Sequence, residues 1–301
     1  MPEAASPARL PSWLRVRPAS GENYERLKLS SRARGLNTVC EEARCPNLAE
    51  CWGGGTATFM LLGGSCTRAC RFCSVSTAAR PAAPDPEEPR ALAETLAEMK
   101  LEYAVLTTVC RDDLSDQGAG HVAACVRAVK ERCPDLLVEV LLPDFRGDFA
   151  ALATVAGSGP DVLAHNLETV ERLSPSVRDS RASYRQSLAV LAEARRIGGG
   201  RKIKSSLMLG LGETDSEIRA CLEDLRTAGV DIVTLGQYLR PTGAPRHLPV
   251  SRFVSPEEFA RHGDAARELG FLFVASGAFV RSSYRAGELF MKGLLKEKKW
   301  D

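Results

Sequence analysis

The chain has 301 residues, with 40 basic and 38 acidic side chains and a formal net charge of +2. This length can bury one barrel-sized core, and so even a charge balance offers no electrostatic footprint for nucleic acid. No run approaches the roughly 20 apolar residues of a bilayer span, and the opening MPEAASPARLPSW lacks the charged-then-apolar pattern of a secretory signal, so a cytoplasmic chain with no membrane or nucleic-acid partner is expected.

Residues 1–55 precede the first strand-like run and are expected to form an N-terminal extension folded back over the core. They carry a cysteine triad, Cys40-x4-Cys45-x5-Cys51. The first strand is predicted at Ala57–Leu62, and a second triad, Cys66-x3-Cys70-x2-Cys73, follows it at once. After a Pro-rich loop over Arg80–Pro89, amphipathic helix-length stretches alternate with apolar strand-length runs. Helices are predicted at Pro86–Lys100, Gly118–Arg132, Asp148–Gly157, Tyr184–Ile197 and Asp215–Ala228. The intervening strands are Tyr103–Val109, Leu136–Leu142, Val162–Asn166, Ile203–Leu209 and Ile232–Leu239. Six strands in this order predict an α/β fold, a partial (β/α)6 TIM-type barrel over 56–240 with its site at the C-terminal mouth. An open doubly wound sheet is the alternative, but no Gly-x-Gly-x-x-Gly fingerprint follows the first strand. Residues 241–301 are expected to close over the site as a C-terminal extension: a Pro-rich connection, a helix over Pro256–Leu269, an apolar stretch Phe271–Ala275 and then Gly277–Ser283.

The cysteines carry the chemistry. Ten thiols in a reducing compartment are poor disulfide candidates, and tight spacing there points to metal or redox work. Three soft thiolates on one short loop bind three corners of an iron–sulfur cubane and leave one iron open to a small molecule. Zinc is the competing reading, but it favours four closed ligands and paired C-x2-C spacings. Of the remaining cysteines, Cys125, Cys133 and Cys221 fall in helices and read as small core residues, whereas Cys110 follows a strand end. Among the four histidines, His165 sits at a strand end where a site role is credible, while His121, His247 and His262 read as surface or packing residues. Glu168 is placed to meet a ribose or to be an ordinary surface group. Thr107 and Thr108 suit a nucleoside or simply a strand.

The spacing Cys66-x3-Cys70-x2-Cys73 after a first strand, with Phe72 at the aromatic position before the last cysteine, resembles the radical S-adenosylmethionine superfamily. The first triad, followed by Gly55-Thr-Ala-Thr-Phe-Met60, resembles the lipoyl synthase family. The likeness continues through Val105–Val109, Arg111–Leu114, Pro143–Gly147, His165–Val170, Leu209–Thr214, Leu235–Leu239, His247–Val250 and Arg281–Tyr284. This resemblance implies sulfur insertion at carbons 6 and 8 of an octanoyl chain on a carrier-protein lysine. It implies two 4Fe-4S clusters, one on Cys66, Cys70 and Cys73, the other a sulfur donor on Cys40, Cys45, Cys51 and Ser283. Ser282 is the alternative fourth ligand. S-adenosylmethionine would be used twice per lipoyl group, with Phe72, Thr107, Thr108, Asn166 and Glu168 around it. The implied partners are octanoylated lipoyl-carrier domains, an electron donor such as flavodoxin or ferredoxin, and an iron–sulfur carrier that reloads the donor cluster. The sequence departs from the family pattern at Cys110, Ser206 and Arg240, where aspartate, glycine and glutamine are usual.

Overall fold

The computed structural model describes residues 11–14, 36–38, 58–99 and 101–283. Its strands are β1 (Asn37–Thr38), β2 (Thr58–Leu61), β3 (Ser65–Cys66), β4 (Ser76–Thr77), β5 (Tyr103–Thr108), β6 (Leu137–Leu141), β7 (Val162–Ala164), β8 (Lys202–Leu209), β9 (Ile232–Gln237) and β10 (Phe273–Gly277). The helices are α1 (Glu88–Met99), α2 (Ala119–Arg132), α3 (Phe149–Ala156), the short α4 (Ser174–Val177), α5 (Tyr184–Ile197), α6 (Asp215–Thr227) and α7 (Pro256–Glu268). Helix starts follow local chemistry. Thr214 with Glu217 and Ser255 with Glu258 form reciprocal caps at α6 and α7, and Asp148 caps α3 by accepting from the amides of Ala150 and Ala151.

One sheet runs β1-β2-β5-β6-β7-β8-β9-β10, parallel throughout except for β1, which lies antiparallel on β2. The sheet curves without closing, which is the expected partial barrel with one addition. The apolar stretch expected near Phe271–Ala275 is a seventh parallel strand, β10, in register with β9 from Phe273↔Ile232 to Gly277↔Gly236. Strand β7 stops at Ala164, short of the predicted Asn166, because the chain leaves the ladder there. Glu168 takes a left-handed φ of 72° and forms a single bridge to Leu207.

Strand alternation gives the barrel two faces. Leu106, Val138, Val140, Leu163, Ile203, Leu207, Leu209, Val233 and Leu235 point outward into one continuous core beneath the helices. On the inner face, Tyr103, Val105, Val162 and Ile232 form a small apolar floor at the N-terminal end. Immediately above it the buried Lys204 donates to both Glu139 oxygens at 2.9 and 2.6 Å, and the Tyr103 hydroxyl donates to the same carboxylate at 2.5 Å. Further toward the C-terminal mouth the inner face turns polar, with Thr107, Ser206 and Thr234.

Candidate active site

The loop Cys66–Cys73 leaves the barrel through a narrow neck. Leu62 and Gly63 take left-handed φ values of 67° and 85°, and β3 then pairs parallel with β4, so that the residues before and after the loop are held side by side. The Ala78 amide donates to the Cys66 carbonyl at 3.0 Å and closes the neck.

Arg68 anchors this loop from within. It is 4% exposed, and its guanidinium reaches Asp112, after β5, at 2.8 Å and Asp144, after β6, at 2.7 Å. Thr67 adds a hydroxyl bond to Asp112 at 2.7 Å. Burial pushes both aspartates up, but Arg68 outweighs it and holds both carboxyls below their ordinary values. The segment after β7 supplies a second wall. Asp179 accepts from the Ala69 amide at 2.9 Å, Arg181 donates to the Thr67 carbonyl at 2.6 Å, and the Val177 carbonyl accepts from the Arg71 amide at 2.9 Å. The segment after β9 completes the ring. His247, buried, donates from Nε2 to the Cys73 carbonyl at 3.0 Å while its Nδ1 accepts from the Thr242 hydroxyl at 2.8 Å. The loop is thus held from four other strand ends.

The three sulfurs are free thiols, each half-buried. Cys66 Sγ accepts from the amides of Cys110 at 3.3 Å and Arg68 at 3.4 Å. A hydrogen bond from the Cys110 thiol is the chief cause that brings the Cys66 thiol down to about 6, and the two amides and the Arg68 charge act in the same direction against burial. Burial pushes Cys70 up to about 12 and raises Cys73 as well, although Cys70 Sγ accepts from the Asp179 amide at 3.3 Å. Three thiols on one eight-residue loop offer three soft donors, which fits an iron–sulfur cluster that keeps one iron open better than zinc, which prefers four closed ligands.

Asn166 lies two residues past β7, and its Oδ1 is buried with no hydrogen-bond partner; Thr234 Oγ1, on the inner face of β9, is in the same state. A buried polar atom left unpaired costs about 1–3 kcal/mol, and two of them near one mouth fit a polar ligand such as a nucleoside. The half-buried Glu168 accepts from the Asn166 side chain, and burial raises its carboxyl. Thr107 shares the inner parity of Tyr103 and Val105. Thr108 has the opposite parity, and its hydroxyl donates to the Val109 carbonyl at 2.7 Å. Phe72 is half-buried on the loop itself. His165 is fully enclosed. Its Nδ1 donates to the Leu142 carbonyl at 2.9 Å and its Nε2 accepts from the Ser187 hydroxyl at 2.8 Å, which in turn accepts from Arg178 at 2.7 Å. Burial, then the Arg178 charge, lowers His165 to about 4, so it is neutral and braces the β7 end.

Cys40, Cys45 and Cys51 lie outside the described residues. Ser282 and Ser283 are described and half-buried, at the end of the segment that returns over the barrel from β10. Arg68, Asp112, Asp144, Asp179 and Arg181 were given no role by sequence reasoning, and His247, read as surface or packing, is buried and bonds the Cys66–Cys73 loop. The available signal was a charged residue directly after a strand end, as in Arg111-Asp112-Asp113 and Pro143-Asp144. His121, also read as a surface or packing residue, is tied at 2.6 Å to Glu88, whose carboxylate holds the Leu62 amide at 3.0 Å beside Cys125. Cys125 and Cys221 are buried in the core as expected, and Ser206 donates to the Thr234 carbonyl at 3.2 Å.

The radical S-adenosylmethionine superfamily matches residues 60–225, and the N-terminal domain of lipoyl synthases of that superfamily matches residues 2–45. A lipoyl synthase from Anaeromyxobacter dehalogenans is 56% identical over 291 residues, 97% of this chain and 98% of that protein. The chain belongs to the lipoyl synthase family. A second family member, lipoyl synthase 1, mitochondrial, of Drosophila yakuba, is 54% identical over 97% of this chain and 78% of its own length. Among solved structures, methylornithine synthase covers 89% of this chain and 83% of its own at 16% identity and a TM-score of 0.55. The FeFe-hydrogenase maturase HydG of Carboxydothermus hydrogenoformans covers 92% and 80% at 11% identity and a TM-score of 0.53. These two share this chain's fold. Among the described residues no helix is long and apolar enough to cross a membrane.

Proposed function

We propose that the chain inserts two sulfur atoms, at carbons 6 and 8, into an octanoyl chain borne on a lysine of a carrier-protein domain. The observation that carries this reading is the barrel mouth: three free thiols on a loop clamped from four strand ends, beside unpaired buried polar atoms of Asn166 and Thr234. Cys66, Cys70 and Cys73 would hold a 4Fe-4S cluster with one iron open, and Phe72, Thr107, Thr108, Asn166 and Glu168 would receive S-adenosylmethionine. Bound there, that pair would supply radical chemistry able to take hydrogen from an inert C–H bond, beyond the reach of acid–base groups.

The chain's own work is to orient, enclose and deliver. Glu168, which accepts from the Asn166 side chain, would accept from ribose hydroxyls together with the unpaired Asn166 Oδ1, and the ring around Arg68 would hold the three sulfurs in place. Cys40, Cys45, Cys51 and Ser283 would hold the second 4Fe-4S cluster, consumed as the sulfur substrate. Ser283 is a harder, weaker ligand than thiolate, which suits an iron that must leave. Two S-adenosylmethionine molecules per lipoyl group follow from two insertions. A flavodoxin or ferredoxin would supply electrons and an iron–sulfur carrier would reload the donor cluster. A reducing, cytoplasm-type compartment suits thiols used as ligands, although the Drosophila relative's name places that protein in the mitochondrion.

The test is mass spectrometry of an octanoyl-lysine peptide incubated with reconstituted protein, reductant and S-adenosylmethionine. Addition of two sulfur atoms to the acyl chain is expected. Formation of 5′-deoxyadenosine with an acyl chain that never gains sulfur would remove the assignment.

A further inference from the structure

Gly236 stands on the inner face of β9, between Met208 of β8 and Gly277 of β10. Its backbone is not left-handed, so conformation does not require glycine there. What requires it is the C-terminal return. A Cβ on Gly236 would lie 2.0 Å from the Val280 carbonyl oxygen, 3.0 Å from its carbonyl carbon and 3.4 Å from Arg281 Nη1. The first two are backbone atoms and cannot swing aside. The turn they belong to is itself tied down, since the Val280 amide donates to the Gly277 carbonyl at 3.0 Å and Arg281 donates to the Ala278 and Val280 carbonyls at 3.3 and 2.7 Å. Ser283 follows three residues after Val280.

We infer that Gly236 is a positioning residue for sulfur transfer: its bare backbone seats the Val280 turn inside the barrel rim and thereby sets where Ser283 stands relative to the mouth. This rests on the reading of Ser283 as a ligand of the sulfur-donating cluster. A methyl group at Gly236 would drive the turn outward by about 1 Å, and a shift of that size between reacting groups is enough to cost on the order of a hundredfold in rate. Radical formation, assigned to the Cys66–Cys73 loop, needs no such seat, because that loop is held by Arg68, Asp179 and His247 rather than by the Val280 turn.

The experiment compares Gly236→Ala, Arg281→Met and Ser283→Ala with the parent as reconstituted holoproteins. It reads sulfur inserted per 5′-deoxyadenosine released, together with the Mössbauer spectrum of the cluster on the N-terminal triad. In Gly236→Ala, 5′-deoxyadenosine release should stay within about twofold while the sulfur ratio falls at least tenfold, and the spectrum should move toward that of Ser283→Ala. Arg281→Met, which loosens the same turn without touching the strand, should lower the ratio several-fold. An unchanged ratio in Gly236→Ala, or a loss of radical formation in step with the ratio, overturns the inference. If Ser283→Ala keeps full coupling and its parent spectrum, the ligand assignment fails instead, whatever Gly236→Ala does.

Discussion

The barrel carries a buried ion-pair network at each end, a lysine with a glutamate and a tyrosine at the floor and an arginine between two aspartates at the mouth. At the floor, Lys204, Glu139 and Tyr103 all stand on strands and satisfy one another between neighbouring ladders. At the mouth, Arg68 stands on the cysteine loop, and its partners Asp112 and Asp144 stand on two other connections. The floor network therefore joins elements that the sheet already holds, whereas the mouth network is what gives an irregular loop a fixed position. Buried ion pairs add little net stability over well-packed apolar groups, but breaking one member strands a charge. The difference between the two ends should thus appear in function rather than in single-mutant stability.

Arg68→Met tests this most severely. It leaves the buried Asp144 without its ion-pair partner and Asp112 with Arg181 and Thr67 alone, and should cost about 3–5 kcal/mol. It should also lose the iron of the Cys66–Cys73 loop, roughly half of the total if each triad carries one four-iron cluster. Urea unfolding and iron analysis read both effects. Lys204→Met should cost a comparable amount by isolating Glu139. The double variant Lys204→Met with Glu139→Leu should recover most of that loss, less what the Tyr103 hydroxyl forfeits with its carboxylate partner, with iron content and 5′-deoxyadenosine formation intact. Loss of radical formation in that double variant would erase the distinction between floor and mouth.

His165 sharpens the comparison by pH. Its folded value of about 4 lies below the ordinary 6.5, so between those values the unfolded chain binds the extra proton. The stability it contributes, up to about 3 kcal/mol, is fully present above pH 6.5 and is lost as pH falls toward 4. Urea midpoints from pH 7.5 to 4.5 should drop more steeply in the parent than in His165→Asn. The smallest effect concerns Cys110. Removing its thiol should let the Cys66 thiol rise toward the usual cysteine range, so Cys110→Ala should slow alkylation of Cys66 by iodoacetamide at pH 7 several-fold in the cluster-free protein. Equal rates would mean that the Arg68 and Cys110 amides suffice.

Local chemistry made the barrel legible. Runs such as Tyr103–Thr108 and Lys202–Leu209, and caps such as Thr214 with Glu217, announce themselves within a few residues. Strand β10 was read only as an apolar stretch because Phe273–Gly277 is short and ends in Ser-Gly; it becomes a strand by pairing with β9. The two cysteine triads were legible from spacing alone. The clamp around one of them was not, because Arg68 and Asp112 are separated by 44 positions and nothing local marks them as partners. Gly236 was hidden for a related reason. A glycine kept for the close approach of a distant carbonyl has no signature in its own neighbourhood.

The central claim is that radical formation belongs to the clamped loop and sulfur donation to the N-terminal triad with Ser283. Its most direct test is S-adenosylmethionine cleavage by the protein with Cys66, Cys70 and Cys73 all replaced by alanine. The account predicts roughly half of the parent's iron, held by the other triad, and no 5′-deoxyadenosine above background. Continued release of 5′-deoxyadenosine by that variant would contradict it.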